Sequence, residues 1–74
     1  QDVDLYAINL KANDTVSYTL KPGRVAWVQV ARGAADLNGH ALSAGDGASV
    51  QALETLTLTG LSEDAEVLVF DMAA

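Results

Sequence analysis

The stretch LNGHALSAGDGASV, residues Leu37 to Val50, carries two tight-turn signals and the single histidine of the chain. Asn38-Gly39 lies between two short extended segments. Both central residues of a type I′ turn need positive φ, which Asn and Gly tolerate best, so this pair predicts a β-hairpin. His40 to Leu42 is its return strand. Ser43 to Gly47 turns the chain again: Gly45 supplies positive φ, and Asp46 is expected to bond its own backbone two residues on. Ala48 to Val50 is a further short strand. Gly45-Asp46-Gly47 lacks the extra glycines and helix N-terminus of a phosphate cradle. It also lacks the acidic offsets of an EF-hand loop. Two corners of a small β-barrel are the simplest reading.

The same grammar runs outward in both directions. Upstream, VDLYAINL (Val3 to Leu10) is an extended run broken by KANDT. VSYTL (Val16 to Leu20) alternates strictly, with Val16, Tyr18 and Leu20 on one face and Ser17 and Thr19 on the other. Lys21-Pro22-Gly23 is a turn, because proline presets φ and glycine accepts positive φ. RVAWVQVA (Arg24 to Ala31) follows, then a break at Arg32-Gly33 and AADL (Ala34 to Leu37). Downstream, ALE (52–54) is a connection and TLTLT (Thr55 to Thr59) places Leu56 and Leu58 inward. GLSEDA is a loop, within which Ser62-Glu63-Asp64 starts at most one helical turn, and EVLVFDM (Glu66 to Met72) is the last strand. Short strands at roughly ten-residue spacing indicate an all-β sandwich or barrel with little or no helix.

Composition excludes several functions. The chain has 74 residues, one domain at most, and no cysteine, so disulfides and thiolate zinc sites are absent. A single histidine rules out a multi-histidine metal site within one copy. Four Lys/Arg against ten Asp/Glu give a net charge of −6. That balance offers no footprint for nucleic acid and is repelled by an anionic membrane surface. No apolar run is long enough to span a bilayer. The opening Gln1-Asp2-Val3-Asp4 has no signal-peptide pattern and no methionine, so a truncated piece of a longer protein is expected. The lack of cysteine is compatible with a reducing compartment, and the expected location is the cytoplasm.

Two runs break the alternation. Ala26 to Val30 (AWVQV) and Val67 to Phe70 (VLVF) are apolar at almost every position, as strands are when both faces are covered. A chain this short can cover one face with its own core. The other face must meet a partner or stand as an exposed apolar patch, which marks an interaction site. The expected interface residues are Trp27, Val28, Val30, Leu68 and Phe70. Trp27 is read equally as core or as an anchor for another domain.

The order of these pieces resembles a known family. Ala26-Trp27-Val28-Gln29-Val30, Arg32-Gly33, Leu37-Asn38-Gly39 and Leu42 to Asp46 together are similar to the C-terminal cupin domain of bacterial pirin-like proteins. That group includes quercetin 2,3-dioxygenase-like enzymes, and the likeness runs from Asp2 to Met72. It implies a cupin-type double-stranded β-helix, a jelly-roll barrel or sandwich, spanning 1–74 as the C-terminal half of a two-cupin protein. It also implies a divalent transition metal in the parent's N-terminal cupin, held by histidines and often a glutamate. Carried onto this chain, the family's ligand positions fall near Leu20 to Pro22, at Ala26, and near Leu56 after Gly45-Asp46. None supplies the imidazole or carboxylate lone pairs a transition metal needs.

The remaining candidates have plain readings. His40 lacks the companions a metal ligand or general base requires, although Asp36 could face it across the hairpin. Trp27, Tyr6, Tyr18 and Phe70 could form an aromatic ligand platform, but core packing is the commoner use of such rings. Arg24 and Arg32 are solvated or paired with Asp14, Asp36 and Asp46. Glu63, Asp64 and Glu66 form an acidic edge or a weak divalent site. The expectation is therefore a non-catalytic structural domain with no cofactor, catalytic residue or metal ligand of its own. Its partner is the parent's N-terminal cupin or a second copy, as in a dimer. The alternative is a free-standing barrel module that binds a small apolar ligand.

Overall fold

The computed structural model describes residues 3–51 and 55–73. The predicted ALE connection lies outside the described residues. Eight strands run in chain order: β1 (Val3–Leu10), β2 (Thr15–Thr19), β3 (Arg24–Arg32), β4 (Ala34–Leu37), β5 (His40–Ser43), β6 (Gly47–Val50), β7 (Thr55–Gly60) and β8 (Ala65–Ala73). The described residues contain no helix, and so none that could cross a membrane. Ser62 to Asp64 is a bend rather than a helical turn.

The strands form two four-stranded antiparallel sheets, ordered β1-β8-β3-β6 and β2-β7-β4-β5. This interleaving of consecutive strands between two sheets is the jelly-roll arrangement of cupins. The turns behave as their residues dictate. Asn38 and Gly39 have φ of 51° and 90°, the hairpin geometry read from the dipeptide. At the second corner, the Asp46 carboxylate accepts from Ser43 N three residues back, at 2.9 Å, rather than bonding two residues on. A tighter loop closed by Asp46 N to Ser43 O brings that amide into range first.

The core lies between the two sheets. On β3, Ala26, Val28 and Val30 point inward; on β8, Ala65, Val67 and Val69 do; on β7, Leu56 and Leu58. Leu10, Leu20, Ala35, Leu37 and Val50 complete it. Period-two alternation sends every second side chain to the opposite face. This corrects the interface expectation for Val28 and Val30, which are 0% and 1% exposed and belong to the core. Trp27, Leu68 and Phe70 occupy the alternate positions and face outward.

Candidate functional site

The two sheets present outer faces of opposite chemistry. On the β2-β7 sheet the outer face is a ladder of hydroxyls. Thr15 pairs with Thr59 at 3.1 Å, Ser17 with Thr57 at 3.4 Å and Thr19 with Thr55 at 3.1 Å. Such a surface satisfies itself and faces water at little cost.

The outer face of β1-β8-β3 is apolar. The strand register builds three consecutive rungs across it: Val25–Met72–Val3, Trp27–Phe70–Leu5 and Gln29–Leu68–Ala7. Gln29 is the single polar member. Trp27 is 41% exposed and Leu5 57%. The Trp27 indole lies across Gly47, donates from Nε1 to Gln29 Oε1 at 3.1 Å, and is thereby held flat against the sheet. A Cβ on Gly47 would sit 2.3 Å from the indole, so glycine is what lets the ring lie down. The next rung, Arg32–Glu66–Asn9, is polar and bounds the patch.

Inside the sandwich, one polar cluster interrupts the apolar packing. Asp71 on β8 is 4% exposed. Tyr18 from the opposite sheet donates its hydroxyl to Asp71 Oδ2 at 2.5 Å. Arg24 on β3 donates from Nε to Asp71 Oδ1 at 2.8 Å and from Nη2 to the Asp71 carbonyl at 2.9 Å. Asp4 approaches the same guanidinium at 3.8 Å. Burial alone pushes the Asp71 carboxyl up. The bonds from Tyr18 and Arg24, with the Arg24 charge, outweigh it and hold the group below the usual carboxylate range. The Tyr18 phenol is pushed up in turn, chiefly by its bond to Asp71 and then by burial. Each carboxylate oxygen of Asp71 accepts a hydrogen bond, one from either sheet, so the cluster works as a clamp between the sheets.

Sequence reasoning missed this clamp, yet parity carried the signal. Asp71 is in step with Val67 and Val69, Arg24 with Ala26 and Val28, and Tyr18 with Leu20, which places all three on inner faces. Arg24 therefore pairs with Asp71 and Asp4 rather than with Asp14, Asp36 or Asp46, and Arg32 pairs with Asp64 at 3.4 Å.

The positions that would carry a cupin's metal ligands are filled by core. Leu20, Ala26 and Leu56 are each 1% exposed, and alkyl groups there cannot fit a metal. Among the described residues, no group of three or more His, Cys, Asp or Glu side chains is placed to hold an ion. His40 is exposed on β5 and faces Leu37 across the hairpin, not Asp36. The Asp36 carboxylate instead accepts from Gly39 N at 2.8 Å and closes the turn.

An open cleft of about 440 Å³ lies between the β1 and β2 edges of the two sheets. Tyr6, Ile8, Val16, Tyr18 and Leu58 line it, with the Tyr6 and Tyr18 ring centroids 5.7 Å apart.

Comparison with known proteins gives a consistent picture. Residues 1–72 match the model of the quercetinase C-terminal cupin domain. A provisionally named quercetin 2,3-dioxygenase of Pseudomonas aeruginosa is 39% identical over 97% of the chain. A pirin-like protein of Caulobacter vibrioides is 36% identical over the same share. The chain spans 31% of the length of each. The crystal structure of the Escherichia coli pirin YhhW, in complex with nickel(II), superposes with a TM-score of 0.91 at 30% identity. That match covers 99% of this chain and 31% of YhhW.

Proposed function

Because the chain belongs to the quercetinase C-terminal cupin domain family, we propose that it is the structural, non-catalytic half of a pirin-like protein, docked through its apolar sheet face onto an N-terminal cupin. The metal and any quercetin 2,3-dioxygenase-type chemistry belong to that other cupin, in a cytoplasmic parent. The observation that supports this is the asymmetry of the two outer faces. One is a self-satisfied hydroxyl ladder; the other is three apolar rungs around Trp27 and Phe70. The nickel(II) of YhhW is consistent with a metal elsewhere in the parent, since Leu20, Ala26 and Leu56 offer none of the donors.

The test is the double variant Trp27→Glu/Phe70→Glu in the full-length protein. Two carboxylates buried in an apolar interface cost several kcal/mol unless the halves separate. The expected result is a larger radius of gyration by solution scattering and faster proteolysis between the halves, with metal content unchanged. A variant that keeps its compactness, or loses its metal without loosening, contradicts the reading. A second reading, a module for a small apolar ligand, has the β1–β2 cleft in its favour, whose volume lies within the ordinary ligand range.

A further inference from the structure

The edges of the two sheets are protected unequally. β5 and β6, at one side, are four residues each. β2, at the other side, is five residues. β1 is an eight-residue edge, VDLYAINL, with no lysine, no proline and a single charge, Asp4. Natural edge strands are shortened, charged, bulged or covered, because every second N–H and C=O points outward with no partner. β1 is neither short nor bulged, and Asp4 near its start is its one charge. Tyr6, which lines the cleft from β1, is 42% exposed, and Val16 across the cleft is 38% exposed. Among the described residues no second strand pairs with this edge, and the open apolar cleft lies beside it.

We infer that this edge is covered in the full-length protein: an extended segment from outside the matched domain adds as a strand beside β1 and drops alternate apolar side chains into the cleft between β1 and β2. The inference rests on the domain being part of a longer chain, and concerns a different surface from the docking face. Three observations favour this occupant. More than two thirds of the relatives' length lies outside the matched segment, so chain is available to supply a strand. A tethered segment acts at millimolar effective concentration, whereas a second copy must bring two chains of net charge −6 together. A small apolar ligand could fill the cleft, but it would leave the outward amides and carbonyls of β1 unpaired. A strand satisfies both at once.

The experiment is residue-resolved amide exchange on the full-length protein, repeated at dilutions where it is monomeric. The outward-pointing amides of β1 are expected to exchange at least about 100-fold more slowly than an unpaired edge, comparably to β8. Val16→Lys, which puts an ammonium in the cleft, is expected to reduce that protection at least about tenfold. Leu61→Lys, exposed and outside the cleft, is expected to leave it unchanged. Outward β1 amides that exchange as an open edge overturn the inference, with or without a small molecule retained in native mass spectrometry. Protection that vanishes on dilution to monomer assigns the edge to a second copy and also overturns it, as does protection indifferent to Val16→Lys. Exposure of Trp27 in the same sample is read separately. A covered β1 with an open Trp27 leaves this inference standing and removes the docking reading; the reverse does the opposite.

Discussion

Asp71 is the residue on which the inside of the sandwich turns. A carboxylate at 4% exposure is tolerable only because Tyr18 and Arg24 both donate to it. Tyr18→Phe removes one donor from a buried charge and should cost about 1–3 kcal/mol, measured by urea denaturation. Arg24→Met leaves the charge unpaired and should cost more, about 3–5 kcal/mol. The pH dependence follows from the two shifts. The Asp71 carboxyl is lowered by folding, so its contribution is complete above the unfolded value of about 3.9 and is lost as pH falls below that toward the folded value. The Tyr18 phenol is raised by folding, so its contribution is complete below about pH 10 and fades only above it. Melting temperature against pH should therefore lose this contribution only at the two extremes, and Asp71→Asn should flatten the acid limb.

At the scale of elements, the turns and most strands were legible because their chemistry is local. Asn38-Gly39 dictates its own φ values, and the threonines of Thr55 to Thr59 declare their own faces. What the sequence concealed was pairing across distance. Nothing next to Asp71 in the chain says that Tyr18 arrives from the other sheet, and nothing beside His40 says that the hairpin register sets it against Leu37 rather than Asp36. The uniform hydrophobicity of Ala26 to Val30 also hid its alternation, so Val28 and Val30 read as surface when parity made them core. Gly47 is similar: its role depends on Trp27, which packs over it from the neighbouring strand. Gly47→Ala should tilt the indole off the sheet, lowering the denaturation midpoint by an amount equivalent to about 1 kcal/mol and raising the oxidation rate of Trp27.

At the largest scale the domain is a small sandwich with one polar, self-satisfied outer face and one apolar outer face. Its hydroxyl ladder and its Tyr18–Asp71–Arg24 clamp look inward or to water; its apolar rungs and bare β1 edge look for cover. A chain of this size buries only about 60% of its unfolded surface, so additional burial of its apolar face would stabilise it. Hydroxyl-radical footprinting of the full-length protein measures that cover directly. Trp27, Phe70 and Met72 should oxidise at least about tenfold more slowly than exposed side chains of equal intrinsic reactivity, while His40 and Leu61 oxidise freely. Rapid oxidation of Trp27 and Phe70 in the intact, folded protein would contradict the docking of this face.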